Sequence, residues 1–400
     1  MKFLKKFSYV LIVLTVFSLL LCGCYDSREI DETAYLIALG IDAADRGGFT
    51  YTLQFSAPLA TVEGGGGGGG EDEKKNATVT NLSISAPDFY TAKNMTNNFL
   101  SKSINMSHLK LIVFSKAVDE HGFLHHSRFL LREREVRPHT AVAVTAGKAK
   151  AYLEAVNPRL EANTAKYYEL MSLRSNNVYS PNKKLSQFVD EIRSPYGISV
   201  LPVAHSGEKS GDENPLKIAV PWVNTSEFEV HSKEAGLQGM AIFKNGKIIS
   251  VDTGSGGMLY NIITGGIKNC TVSLKNPYAE NEILSFGVNI PEAASYKIDN
   301  KKKPCRITVN QGFDIEFFGG TLPTGFKDKE QVYAFAKGCF QKAFSEFFYD
   351  LSRNKKADII NLNRYFRMQF LTENSPEISN WGKTFETAEF EFNIVFFEKG

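Results

Sequence analysis

The chain has 400 residues, 46 basic and 44 acidic side chains, and 43% hydrophobic residues. That composition builds folded domains with real cores and excludes a disordered or collagen-like polymer. Residues 1–23 hold three lysines and no acids, so the remaining body carries 43 basic against 44 acidic side chains. Such a balance argues against nucleic acid, which calls for a concentrated basic surface, and the triplet Lys301-Lys302-Lys303 suits a solvated turn.

The first element is a basic stretch (Lys2, Lys5, Lys6) followed by an uncharged apolar run from Phe7 to Leu21. The run is shorter than the ~20 residues that cross a bilayer comfortably, and it ends at Leu21-Cys22-Gly23-Cys24. This pattern predicts a lipoprotein signal peptide over 1–23 with Cys24 as the lipid attachment site, because processing needs a small residue before the modified cysteine. Gly23 meets that need for Cys24, whereas bulky Leu21 precedes Cys22. Two or more acyl chains at ~0.8 kcal/mol per buried CH₂ would anchor the body stably outside the membrane. An uncleaved membrane helix is the competing reading, and it also leaves the body outside.

Strands are expected at Tyr35 to Ile41, Phe49 to Phe55 and Val79 to Ser85, from apolar runs and alternation of period two. Between them, Glu63, seven glycines (Gly64 to Gly70) and Glu71-Asp72-Glu73-Lys74-Lys75 read as a low-complexity linker, about 62–76, with an r.m.s. span of ~15 Å across the glycines. A helical period covers Pro87 to Leu100, with Phe89, Ala92, Thr96 and Phe99 on one face. The strand Leu109 to Phe114, helical segments at Ala117 to His121 and Phe123 to Arg134, and the strand Thr140 to Val144 follow. Further helices are expected at Lys148 to Val156, Ala162 to Arg174 and Lys184 to Ile192. The polar stretch Ser206 to Asn214 reads as a boundary.

The second half opens on a hairpin, Met240 to Lys244 and Lys247 to Val251, joined by Asn245-Gly246, which suits a type I′ turn. Strands are expected at Ile283 to Ile290, Ser295 to Ile298, Cys305 to Val309 and Phe313 to Phe318. A long helix holds Val332, Phe335, Ala336, Cys339, Phe340, Ala343, Phe344, Phe347 and Leu351 on one face, which predicts core packing against a sheet. The chain ends in a strand alternating Phe390, Phe392, Ile394 and Phe396 with Glu389, Glu391, Asn393 and Val395. Together these predict an α+β protein of two or three mixed α/β domains, each a β-sheet packed with helices: 24–205, a linker at 206–235, and 236–400, the last divisible into 236–285 and 286–400.

Chemistry-bearing patterns are few. Asp252-Thr253-Gly254-Ser255 matches the loop of an aspartic protease, but that chemistry needs two carboxylates sharing one proton and the chain holds no second copy; a turn closing the preceding hairpin is the simpler reading. His121, His125 and His126 contain an i, i+4 pair, yet Gly122 stands where a zinc protease places its glutamate and no third ligand follows, so surface histidines are expected. The glycine run lacks the Lys-Ser/Thr of a phosphate loop, and the acids after it would repel a phosphate. With Cys24 acylated, Cys270, Cys305 and Cys339 allow at most one disulfide and have no metal-like spacing, and none is expected ahead of one. The residues predict no catalytic group, no metal and no cofactor: a tethered non-enzyme.

Gly23-Cys24-Tyr25-Asp26-Ser27-Arg28-Glu29-Ile30, then Ala34 and Gly40-Ile41-Asp42, resembles the mature N-terminus of the Ger(x)C lipoproteins, the C subunits of spore germinant receptors. The similarity continues through Ser107-His108-Leu109-Lys110, Leu131 to Arg137, and Ala146-Gly147-Lys148-Ala149. In the second half it covers Gly239 to Lys247, the long helix with Lys356-Ala357-Asp358, and Trp381. Tyr25 stands where the family usually has Trp. The resemblance implies a lipid-anchored, non-enzymatic subunit on the outer face of the spore inner membrane. It would assemble with integral membrane A and B subunits and be needed for the response to nutrients. The resemblance offers no binding residue beyond the lipidated cysteine. A solute-binding lipoprotein of a transporter is the alternative, and a protease using Asp252 a weaker one.

Overall fold

The structure, a computed structural model, describes residues 2–20, 32–56, 79–118, 120–158, 160–161, 163–173, 177–206, 216–219, 227–230, 235–252, 254–372 and 375–398. The glycine run, most of the 206–235 linker and Cys24 lie outside these described residues.

The chain begins with helix α1 (Lys2–Leu20), then strands β1 (Thr33–Ala43), β2 (Phe49–Ser56) and β3 (Val79–Ala86). Helix α2 (Phe89–Thr96), β4 (Ser103–Asn105), β5 (Leu111–Ser115), α3 (Glu120–Arg132) and β6 (Ala141–Thr145) follow. Next come α4 (Ala149–Ala155), α5 (Thr164–Leu173), α6 (Leu185–Arg193), β7 (Ile198–His205), and a separate ribbon of β8 (Leu216–Ala219) and β9 (Glu227–Val230). The second half runs β10 (Gly236–Lys244), β11 (Lys247–Asp252), α7 (Ser255–Thr264), β12 (Asn269–Lys275), β13 (Ile283–Asn289), β14 (Ser295–Asp299) and β15 (Arg306–Phe317). It finishes with α8 (Lys329–Tyr349), α9 (Leu362–Arg367), α10 (Pro376–Ser379), α11 (Trp381–Thr387) and β16 (Glu389–Glu398).

Two mixed sheets packed with helices organise these elements, so the fold is α+β as expected. The larger sheet has the order β11-β10-β7-β6-β5-β1-β2-β3, with β4 also on β1. Its centre, β7-β6-β5-β1, is parallel, and antiparallel strands close both sides. Parallel strands joined by helical crossovers bury both faces, which is why β5 and β6 read as unbroken apolar runs and are buried throughout. Helices α2, α3 and α6 contribute to the core on one face and α4 and α5 to that on the other.

The smaller sheet has the order β12-β13-β15-β14, and β16 lies parallel to β15 along ten residue pairs. α8 packs on it: the Phe313 ring meets Phe340 at 5.3 Å between centroids, and Phe348 meets Phe390 at 5.2 Å. The apolar stripe of α8 is thus core, as its period predicts. Asp328 caps its start, accepting the Gln331 N–H at 2.8 Å.

The join between the sheets is made by alternation along β7 and β10. Ile198, Val200, Met240 and Ile242 face the core shared with the smaller sheet, while Leu201, Val203, Ala241 and Phe243 face the other side. The hairpin β10–β11 therefore opens the second half in sequence and completes the first sheet in space. Asn245 (φ 52°) and Gly246 (φ 79°) take the two positive angles a type I′ turn requires.

Helix α7 fills the join. A Cβ on Gly257 would stand 2.0 Å from the Tyr179 carbonyl oxygen, so only glycine lets the helix approach that segment. Asn261 then donates from Nδ2 to the Asn177, Val178 and Ser180 carbonyls at 3.2, 3.0 and 2.9 Å.

Three expectations are corrected. The glycine-rich stretch after β11 is the start of α7, not only a hairpin turn. β15 is one strand of 12 residues through Gln311-Gly312, where two were expected. The Phe397 ring covers the bare backbone of Gly312, its Cε2 3.1 Å from where a Cβ would stand. α2 ends at Thr96, leaving Phe99 exposed, because Asn97 and Asn98 close the last turn.

Two glycine substitutions separate these constraints. Gly257→Ala should lower the unfolding free energy by about 1–3 kcal/mol through forced separation of α7 from Tyr179. Gly338→Ala, in open space on α8, should raise it by about 0.5–1 kcal/mol. Urea unfolding followed by circular dichroism measures both.

Candidate functional site

The residues singled out by pattern meet in space as three locks, each a carboxylate receiving the N–H groups of a helix start. Such groups have no partner inside their own helix, and the helix dipole favours an anion there. Asp42, buried at the end of β1, accepts the Ala149 and Lys150 N–H groups of α4 at 2.7 and 3.0 Å. A Cβ on Gly40 would stand 3.2 Å from the Ala149 Cβ and 3.1 Å from Leu153 Cδ1, so the missing side chain lets α4 lie close on the strand. Ser115 Oγ donates to the Gly147 carbonyl at 2.8 Å and fixes the loop before α4. Gly40-Ile41-Asp42 and Ala146-Gly147-Lys148-Ala149, far apart in sequence, are therefore two halves of one contact.

The second lock is Asp358. Its Oδ1 accepts the Leu362 N–H at 3.0 Å, and its Oδ2 accepts the Asn363 N–H at 2.8 Å and the Trp381 indole N–H at 3.0 Å. This pairs Lys356-Ala357-Asp358 with Trp381 and fixes the packing of α9 and α11. Burial pushes the Asp42 and Asp358 carboxyls above the usual carboxylate range, while the N–H groups they accept pull the other way.

The third is Asp252. Its Oδ1 accepts the Gly254 and Gly256 N–H groups at 2.9 and 3.1 Å, and a Cβ on Gly256 would stand 2.5 Å from Oδ2. The protease-like carboxylate thus sits at a helix start, and Gly256 just after the tetrapeptide gives it room. No second carboxylate bonds to Asp252 among the described residues.

Beside α7 lies an ion pair between buried Lys183 and half-buried Glu191 that sequence reasoning missed. Lys183 Nζ donates to Glu191 Oε1 and Oε2 at 2.7 and 2.8 Å, and Ser199 Oγ donates to Glu191 Oε2 at 2.5 Å. Burial works against the Lys183 charge, but Tyr260 and Glu191 outweigh it and hold the ammonium above its ordinary value. The two charges are eight residues apart on a loop and a helix, a separation that carries no local signal.

The histidines are corrected in part. His126 is buried, not on the surface: its Nδ1 bonds the Gly122 carbonyl at 2.7 Å, which makes Nδ1 the donor, and the Tyr51 hydroxyl donates to its Nε2 at 2.6 Å. His125 is exposed, and nothing is described of the His121 side chain. Among the described residues no group of three His, Cys, Asp or Glu side chains gathers as a metal site. Cys270, Cys305 and Cys339 are free thiols. Burial pushes Cys270 up to about 12 and Cys305 up to about 11. Among the described residues no helix is long and apolar enough to cross a membrane.

Two interlocked mixed-sheet units whose polar side chains are spent on helix starts define an α+β scaffold of a recurrent kind. The profile described as "Spore germination protein N-terminal domain" matches residues 26–206, and "Spore germination B3/ GerAC like, C-terminal" matches 238–396. The chain belongs to the Ger(x)C family of spore germination proteins. Its fold is similar to the crystal structure of the GerBC protein, with a TM-score of 0.50 at 14% identity over 90% of this chain and 97% of that one. Among relatives, it is 25% identical over 150 residues to the putative spore germination protein YfkR of Bacillus subtilis (strain 168). It is 28% identical over 137 residues to spore germination protein A3 of the same organism. The alignments take in 38% of this chain and of the first relative, and 33% of this chain and 34% of the second, so the chain spans little more than a third of either relative's length.

Asp42→Ala should cost about 2–3 kcal/mol, since two N–H groups at the start of α4 lose their acceptor in a buried site. Asp42→Asn, keeping one acceptor oxygen, should fall between; chemical denaturation of both measures this. The cysteines give a second readout. At pH 8 the raised values leave roughly 10⁻⁴ to 10⁻³ of Cys270 and Cys305 as thiolate, so alkylation in the native protein should be at least about tenfold slower than after unfolding.

Proposed function

We propose that this chain is the lipid-anchored C subunit of a nutrient germinant receptor, held by Cys24 on the outer face of the spore inner membrane. It acts by assembling with integral membrane A and B subunits and carries out no catalysis. The family match carries the reading: its first profile begins at residue 26, two residues after the cysteine expected to be acylated. Division into an N-terminal unit from 24 to 205 and a C-terminal unit from 236 to 400 goes with it.

Two structural observations support a contact-making body over the alternatives. Asp42 and Asp358 accept backbone N–H groups through both oxygens and Asp252 accepts two through Oδ1, the geometry of helix caps and not of a paired catalytic site. At the junction of the two sheets α7 packs its apolar side chains into a core shared by both, which suits a rigid body better than two lobes hinged about a solute.

Cys24→Ala is the decisive change. In spores whose membranes are washed with about 0.5 M salt to remove electrostatic contacts, the variant should leave the membrane fraction, and nutrient-triggered germination should slow. Retention of the variant in the washed membranes would overturn the tether. Unimpaired germination after deletion of the gene would overturn the receptor role.

A further inference from the structure

The parallel strands β1, β5, β6 and β7 all begin at one edge of the larger sheet, and that edge is where the tether enters. Glu32 is the first described residue before β1, and the eight steps back to Cys24 reach at most ~27 Å. The registers Ala38–Leu111, Leu111–Ala141 and Val144–Val203 bring Ala34 about level with Tyr196, just before β7. Three strand spacings, roughly 14 Å, separate β1 from β7.

The C-terminal segment is fastened to the same edge. Tyr196 donates its hydroxyl to the Ile378 carbonyl at 2.9 Å, and Lys244 Nζ donates to the Lys356 carbonyl at 2.7 Å. Ile378 lines an open cavity of about 300 Å³ with Arg364, Arg367, Met368 and Leu371. Arg364 and Arg367 stand on α9, Met368 caps its end, and Leu371 lies in the bend just beyond. On α9, Leu362 and Phe366 are buried, with the Phe366 ring 4.8 Å from that of Trp381. Met368 is 70% exposed and Leu371 fully exposed, although both are apolar and flank two guanidinium groups. Further along the edge, Arg128, Arg132 and Arg193 line a second cavity, between α3 and α6. Acids nearby are partly committed: Glu135 accepts the Met106 N–H at 2.9 Å, and Glu191 holds Lys183. Glu133 and Asp190 remain among these arginines in sequence.

We propose that this edge is a second membrane contact: Arg193, Arg132 and Arg364 meet anionic lipid headgroups, and Met368 and Leu371 enter the headgroup boundary. The inference rests on the tether reading, because Cys24 is what brings this edge to a bilayer. Basic side chains around exposed apolar ones are the composition of an interfacial segment. Phosphodiester headgroups match guanidinium pairs in charge and geometry. The contact fixes the orientation of the body, since a flexible arm alone would let it turn freely.

The test uses the chain from Tyr25, which lacks both the acyl group and α1. All elements of both sheets lie after residue 32, so this body retains its whole fold. Co-sedimentation is measured with vesicles of phosphatidylcholine alone and with about one-third phosphatidylglycerol. The body should bind the anionic vesicles and be released by about 0.5 M salt. Arg193→Glu with Arg364→Glu should weaken binding more than tenfold, at roughly fivefold or more per reversed charge. Leu371→Asp alone should weaken it severalfold, and Lys116→Glu, exposed at the opposite edge, should leave it unchanged. Thermal melts of the variants confirm folding. Equal binding to neutral and anionic vesicles would overturn the proposal, as would a double variant that binds like the parent or an equal loss in Lys116→Glu. So would binding only to vesicles that carry other receptor subunits, since the edge would then be a protein contact. None of these results bears on the tether, because Cys24 is absent from the assay.

Discussion

Strands β7 and β10 must serve two cores at once, and the rest of the architecture follows from that demand. A strand has only two faces, so each residue that goes to the smaller sheet is lost to the larger one. The chain meets this by strict alternation, with Val200 and Ile242 on one side and Leu201 and Ala241 on the other. The gap left over the first side is narrow, and α7 fits it only because Gly257 carries no side chain against the Tyr179 carbonyl. The two units are thereby one packed body joined through a sheet, not beads on a linker.

Around that join the polar chemistry is conservative in purpose. Asp42, Asp252, Asp358 and Asp328 each answer N–H groups at a helix start, at the places where helices must dock onto sheets at fixed angles. A buried helix start without such an acceptor would leave unpaired N–H groups at a cost of about 1–3 kcal/mol each. Motifs that look functional from their residue types, such as the Asp-Thr-Gly-Ser tetrapeptide, turn out to be joints.

Much of this was legible from pattern. The strands β1, β2, β3, β5 and β6, the Asn245-Gly246 hairpin and the α8 stripe all announce themselves through period and turn chemistry, because a residue's neighbours two or three places away fix its face. The pairing of motifs was not legible. Gly40 and Asp42 carry no visible reason until α4 lies over them, and Asp358 none until Trp381 arrives. His126 reads as one of a surface cluster and is a core residue, since the Tyr51 hydroxyl that satisfies it is 75 residues away.

The sequence by itself determined that the body is α+β and that it resembles one family of germination proteins. Those properties are written in local composition, in periods of two and 3.6, and in short ordered motifs. Tertiary structure alone decided that the hairpin of the second half completes the first sheet, that three suspect carboxylates are helix caps, and that the start of β1 shares an edge with exposed basic and apolar side chains. The reason is physical: burial, hydrogen-bond satisfaction and the level of one strand against another depend on residues far apart along the chain, and no local window contains both partners.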